Sequence, residues 1–251
     1  MLKTLTGRRA LITGSSHGVG QAAAKLFVEQ GAAVIMHGNS NIARAENIAA
    51  ELGDGVVGVL QADLSKPGEG TRLFEEADAL VHGELDVVIN NAGIHLATPF
   101  DDEAQWEANW EAIHQVNVKA VADISRAAVR AWEKREGGSL VNIASRAGFR
   151  GESPDFMAYA ASKAAVLAMT KTIARQWGHR NIFAYALAPG WINTRMAPQN
   201  ADGLRAAQNE IPIGRMAEPE EIAAMCAFLA SGACESATGS CIDVNGASYV
   251  R

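Results

Sequence analysis

The chain has 251 residues, 48% of them hydrophobic and 20% charged, and carries a formal net charge of −6 at pH 7. That balance supports a sizeable core and excludes the basic footprint of a protein that binds nucleic acid or an anionic membrane. No apolar run approaches the ~18 residues that a membrane span needs.

Apolar β-branched runs alternate with helical patterns along the whole sequence. The first run, "ALIT" at 10–13, starts too early to leave room for a signal peptide, so a cytoplasmic protein is expected. It leads into "TGSSHGVG" at 13–20 and a helix over 18–30, followed by "AVIMH" at 33–37 and a helix over 41–52. Next come "GVVGVLQAD" at 55–63, a helix over 70–82, "LDVVINNAG" at 85–93 and a single long helix over 104–133. The remainder reads as "SLVNIAS" at 139–145, a helix over 156–178, "IFAYALAPG" at 182–190, a helix over 219–231 and "CIDVN" at 241–245. Strands apolar on both faces and separated by helices predict a parallel sheet covered on both sides. No linker interrupts the rhythm, so 1–251 reads as one domain of doubly wound α/β type. Its least regular stretch, 191–217, is the expected substrate lid. Cys226, Cys234 and Cys241 match no zinc spacing and are read as buried free thiols, and the six histidines show no metal-ligand pattern, so no metal is expected.

Gly14, Gly18 and Gly20 fall between the first strand and the first helix, where backbone N–H groups of a helix start can receive a pyrophosphate. The turn residues Ser16, His17 and Val19 lie between them. The spacing T-G-x-x-x-G-x-G in strand–turn–helix context predicts dinucleotide binding. A carboxylate that would bond the ribose hydroxyls of NAD is missing from the end of the second strand, which reads "VIMHGNSN". Asn39 and Ser40 there, with His17, can donate to a 2′-phosphate, and Arg44 begins a turn further on. NADP is therefore favoured over NAD.

Tyr159 and Lys163, four apart in "YAASK", share a helix face. A free phenol has a pKa of about 10, and a neighbouring ammonium is expected to lower it until it trades protons near neutrality. Ser145 ends a strand at the sheet edge where ligands bind, and can donate to a substrate oxygen. No G-x-S-x-G elbow surrounds it, which argues against a hydrolase. Asn117 sits in a predicted helix interior, an unfavourable place that often marks function.

The turn at 13–20, "NNAG" at 90–93, Asn117 in "QVNVKA", Ser145 in "NIAS", "YAASK" at 159–163 and "PGWINT" at 189–194 occur in order, and the pattern resembles the short-chain dehydrogenase/reductase family. The likeness covers nearly the whole chain. It implies a seven-stranded Rossmann-type sheet, mostly parallel, and an oxidoreductase interconverting a carbonyl and a secondary alcohol with Tyr159 as general acid or base. By position it implies that Asp63 and Leu64 flank the adenine and that Asn91, Ala92 and Gly93 line the cofactor. Pro189, Gly190, Ile192 and Thr194 would hold the nicotinamide end, Lys163 a ribose hydroxyl, and Asn117 a water relaying protons to Lys163. Family members are commonly tetramers, built through the helices 104–133 and 156–178 and the last helix and strand, so a homotetramer acting on small molecules is expected. One departure is "VNGAS", where many relatives carry a Gly-Gly pair.

Alternatives stay open: a 3-oxoacyl-carrier-protein reductase, an epimerase or dehydratase on the same frame, or a dinucleotide-binding sensor without catalysis. His95 could touch substrate but reads at least as readily as an exposed loop residue; Arg146 and Arg150 read more readily as surface residues, although an arginine facing the pocket would favour an anionic substrate. Trp191 and Met196 could wall the lid or merely pack it.

Overall fold

The computed structural model describes residues 4–251. Seven strands, β1 (Arg9–Ile12), β2 (Ala33–Gly38), β3 (Val56–Gln61), β4 (Val87–Asn90), β5 (Gly138–Ile143), β6 (Ile182–Pro189) and β7 (Cys241–Val244), form one sheet. Their order is β3-β2-β1-β4-β5-β6-β7, and every pairing is parallel. The doubly wound sheet expected from the apolar runs, and the seven-stranded Rossmann type that the family resemblance implies, are what is observed.

Strand side chains alternate between the two faces, which is why the runs are apolar throughout. Ile12, Val34, Met36, Val87 and Ile89 pack on one face with Phe27 of α1 (Gly18–Glu29) and Ile222 and Leu229 of α9 (Pro219–Ala230). Leu11, Ile35, Val88 and Leu140 pack on the other, against Leu73 and Phe74 of α3 (Glu69–Leu80) and Ile124 and Trp132 of α5 (Val121–Trp132). Buried Trp132 is anchored as well as packed: its Nε1 donates to the Leu85 carbonyl at 2.6 Å. The long helix α7 (Met157–Trp177) is pinned to β5 by Asn142, whose Nδ2 donates to Thr170 Oγ1 at 2.9 Å.

Three departures from the sequence-based expectation have local causes. The single helix expected over 104–133 is α4 (Glu103–His114) and α5 joined by a wider π-turn over Gln115–Ala120. Such a turn carries an extra residue and commonly occurs at functional sites; here it contains Asn117. The stretch 191–217 is not wholly irregular, since Asn200 caps a helix, α8 (Ala201–Asn209), by accepting from Gly203 N. The thiols do not share one environment: Cys226 is buried, Cys241 partly so and Cys234 exposed. Burial raises the Cys226 thiol to about 12 and the Cys241 thiol to about 11.

The "VNGAS" departure has a backbone consequence. Ala247 sits at φ 65°, the left-handed region that costs an L-residue roughly 1–2 kcal/mol and that glycine occupies freely. Ala247→Gly is therefore expected to raise unfolding stability by about 1 kcal/mol in urea titration, after allowance for the freer unfolded chain. A loss of stability would show that the Ala247 methyl packs more than it strains.

Candidate active site

The sheet reverses direction of growth between β1 and β4, and ligands bind at such switch points beyond the carboxyl ends of the strands. Here the loops after β1 and β4 are tied together. Thr13 Oγ1 accepts from the N–H groups of Asn91 and Ala92, each at 2.9 Å, and Asn91 Nδ2 donates to the Thr13 carbonyl at 2.8 Å. A cavity of about 860 Å³ opens along this edge.

One end of the cavity is the glycine turn. Gly14 and Gly18 line it at φ 66° and 51°, with Ser16, His17 and Val19 between and beyond them. Gly20 lies behind the turn, where a Cβ would collide with the Gly14 carbonyl and the Asn91 amide. Asn39, Ser40, Leu64, Asn91, Ala92 and Gly93 line the cavity, and so do Pro189, Gly190, Ile192 and Thr194. Asp63 falls outside the lining: its carboxylate accepts from Ser65 Oγ at 2.6 Å and Asn39 Nδ2 at 3.3 Å. The Ser65 hydroxyl holds that carboxyl below its ordinary value, helped by Lys66.

His37, which sequence reasoning passed over, organises this end. Its Nδ1 accepts from Gly14 N at 3.0 Å, so Nε2 carries the proton and donates to the Ala62 carbonyl at 3.0 Å. Burial lowers its pKa. The only hint in the sequence is a histidine at the end of a strand otherwise built for burial. Arg44 reaches back over the turn, with Nε donating to the Ser16 carbonyl at 2.8 Å. His17 is pushed down by burial and then by the nearby Arg195 and Arg44 cations. Among the described residues no carboxylate lines the cavity beside the Arg44 and Arg195 cations, and the cluster suits a phosphate.

The inner end holds Ser145, Tyr159 and Lys163, all lining the cavity. Lys163 is 5% exposed, its Nζ donates to the Ile143 carbonyl at 2.8 Å, and it lies 5.6 Å from the Tyr159 ring centroid. A Cβ on Gly93 would lie 3.2 Å from Asn117 Oδ1 and 3.5 Å from Lys163 Nζ, so it would crowd the Asn117 amide and touch the lysine. Asn117 itself does not line the cavity. Its Oδ1 accepts from Ile94 N at 2.8 Å, and its Nδ2 donates to the Ile94 carbonyl at 2.9 Å and to Ser162 Oγ at 3.1 Å. The side chain thus joins the loop after β4 to α7.

The expected lowering of the phenol is not produced by the protein's own groups. Burial raises Tyr159 to about 12; the Ser145 hydroxyl opposes this and the Glu152 carboxylate adds to it. Burial also lowers Lys163 to about 8. Burial is the leading cause of both shifts, and it favours the neutral form of each group.

Arg146 is not the surface residue expected, and His95 lines the cavity. The His95 ring stacks on Phe156 at 4.1 Å and meets Tyr159 edge-on at 4.5 Å. Arg146 is 2% exposed, whereas Arg150 keeps partial exposure and pairs with Glu152 at 3.2 Å. Trp191 lines the cavity and packs with Ala197, Ile211 and Met216, so it walls and packs at once. Met196 is 56% exposed.

Fold and cavity together define a class, the dinucleotide-binding oxidoreductases of Rossmann type. A family model described as enoyl-(acyl carrier protein) reductase matches residues 14–247. Nodulation protein G of Rhizobium sp. (strain N33) is 37% identical over 243 residues, covering 96% of this chain and 97% of that protein. The 3-oxoacyl-[acyl-carrier-protein] reductase FabG of Thermotoga maritima is 35% identical over 245 residues, covering 96% and 98%. A short chain dehydrogenase from Burkholderia cenocepacia J2315, solved in complex with NADP, superposes with a TM-score of 0.90 at 32% identity, covering 98% of this chain and 99% of that one. The chain belongs to the short-chain dehydrogenase/reductase family and is an NAD(P)-dependent oxidoreductase acting on CH–OH groups.

The buried lysine has a measurable signature. Folded Lys163 sheds its proton near 8, below the 10.5 of an ordinary lysine, so the unfolded chain binds more protons between those values. Relative to Lys163→Met, the wild-type protein should gain about 3 kcal/mol of stability as pH rises from 8 towards 10.5. Parallel urea titrations of the two proteins across that range check this; equal slopes would place the lysine in water.

Proposed function

We propose that this chain is an NADP-preferring enzyme that interconverts a ketone and a secondary alcohol, with Tyr159 as the proton donor or acceptor. The observation that carries the reading is that Ser145, Tyr159 and Lys163 line one cavity with the glycine turn. Bound nicotinamide supplies the hydride acceptor or donor. Ser145 donates a hydrogen bond to the substrate oxygen and stabilises charge developing there. In reduction, Tyr159 gives that oxygen its proton, a role suited to a phenol kept neutral by burial. In oxidation Tyr159 takes the proton as phenolate, a state that the positive charge of a bound oxidised nicotinamide would favour. Lys163 holds a ribose hydroxyl, and Asn117 positions the loop after β4 against α7.

Preference for NADP rests on Arg44, His17, Asn39 and Ser40 lining the adenosine end without a carboxylate. NADP is bound in the Burkholderia cenocepacia relative. The segment 191–217 serves as the substrate lid of a single-domain chain, a cytoplasmic homotetramer assembled through α4, α5, α7, α9 and β7. Reduction of a 3-oxoacyl thioester is the second reading, supported by the name of the Thermotoga maritima relative.

Tyr159→Phe is expected to lower kcat on the order of a hundred- to ten-thousand-fold while NADP binding by calorimetry stays intact; retained turnover would reassign the proton donor. Arg44→Ala should raise the KM for NADP by roughly tenfold and leave that for NAD nearly unchanged, as loss of one charge-assisted bond implies. A wild-type preference for NAD would contradict the assignment at the adenosine end.

A further inference from the structure

One cation in the cavity has no part in that chemistry. Arg146 follows Ser145, lines the cavity and is buried. Its Nη2 donates to Glu210 Oε2 at 2.6 Å, and its guanidinium carbon stands 5.9 Å from the Trp191 ring centroid. Nη1 is buried with no hydrogen-bond partner, and so is Nε1 of Trp191, which lines the same cavity. Buried donors without acceptors cost the full desolvation of the group, and more when the group is charged.

As a purely structural strut between the start of α6 (Ala147–Arg150) and the end of α8, the Arg146–Glu210 pair has no use for two unpaired donors on one cavity. The present partner is also a poor fit for a permanent one. The Glu210 side chain is 46% exposed while that of Arg146 is 3% exposed. Glu210 also lies 3.6 Å from Arg150 Nη2, so it keeps a cation if it leaves Arg146. Among the described residues, Glu152 is the one carboxylate in this lining; it is paired with Arg150 and raises the Tyr159 phenol, so an anion is disfavoured on that side and directed to Arg146.

We propose that Arg146, with Trp191 Nε1, is a carboxylate site, and that the substrate is a hydroxy or oxo acid whose carboxylate takes the place of Glu210 on the guanidinium. The fork of Nη1 and Nη2 matches a carboxylate with two parallel bonds, which a lysine could not reproduce. Because Arg146 adjoins Ser145, the acid group is held while the carbonyl or alcohol faces Ser145 and Tyr159. This assignment rests on the oxidoreductase reading above and narrows its substrate class.

The test is a panel of short hydroxy and oxo acids, each paired with its methyl ester or alditol, assayed with NADP or NADPH by the absorbance of the reduced nicotinamide. Wild-type kcat/KM is expected to favour the acids on the order of 10- to 100-fold, the scale of a charge-assisted pair. Arg146→Met should erase that acid-to-neutral ratio and Arg146→Lys should restore part of it. If Arg146→Met fails to fold, two milder changes decide. Trp191→Phe should lower the ratio, and Glu210→Gln, by removing the competing carboxylate, should raise it through a lower KM for acids alone. Turnover confined to esters, alditols or 3-oxoacyl thioesters, or a ratio unmoved by Glu210→Gln and Trp191→Phe, overturns the carboxylate site and leaves the oxidoreductase reading standing. No turnover with either half of the panel or with a 3-oxoacyl thioester sinks the proposed ketone–alcohol reading itself, and the site with it.

Discussion

The hydrogen bonds between Thr13 and the Asn91–Ala92 backbone hold the site open and in register. At the β1/β4 reversal two loops diverge from neighbouring strands, and a crevice there could gape or collapse. A single threonine hydroxyl, accepting two N–H groups, spans the divergence, and the Asn91 amide returns the tie to the Thr13 carbonyl. The glycine turn on one side and the floor of the inner cavity on the other are thereby one rigid unit. His37 extends that unit outward by fastening Gly14 to the end of β3 through Ala62.

Inside this frame the ionisable groups are set by burial before they are set by each other. Desolvation drives both Lys163 and Tyr159 towards their neutral forms, in opposite directions on the pKa scale. A site that dry makes any charge brought into it count heavily, since field strength rises as the effective dielectric falls. The lysine–tyrosine pair is thus less a self-sufficient acid than a pair of groups poised to respond to charge brought in with the cofactor.

Much of this was legible from the chain. Alternating apolar runs specify a doubly wound sheet because a parallel strand is covered on both faces, and the glycine spacing marks the turn because backbone must approach an anion there. Tyr159, Lys163 and Ser145 could be named because their spacing and their place at strand or helix ends constrain what they can reach. Other features depend on contacts distant in sequence. Nothing near Arg146 announces that Glu210, 64 positions away, closes over it. His95 looks like a loop residue until Phe156 supplies a ring to stack on. The π-turn is invisible to helical periodicity because both flanking helices keep their own pattern; it is held by Asn117 meeting Ile94 and Ser162. α8 escaped notice because its capping signal lies within a polar stretch with little apolar repeat.

Ala197, Ile211 and Met216 form a small apolar nucleus, flanked by Trp191 and Leu204 and distinct from the clusters on the two faces of the sheet. A nucleus of that kind uncouples the segment's own cohesion from that of the scaffold below it. Exchanging only 198–216 for a stretch of different shape spares Ile192 and Ala217, which pack with the sheet, and Thr194 in the cavity wall, so the scaffold beneath keeps its own packing.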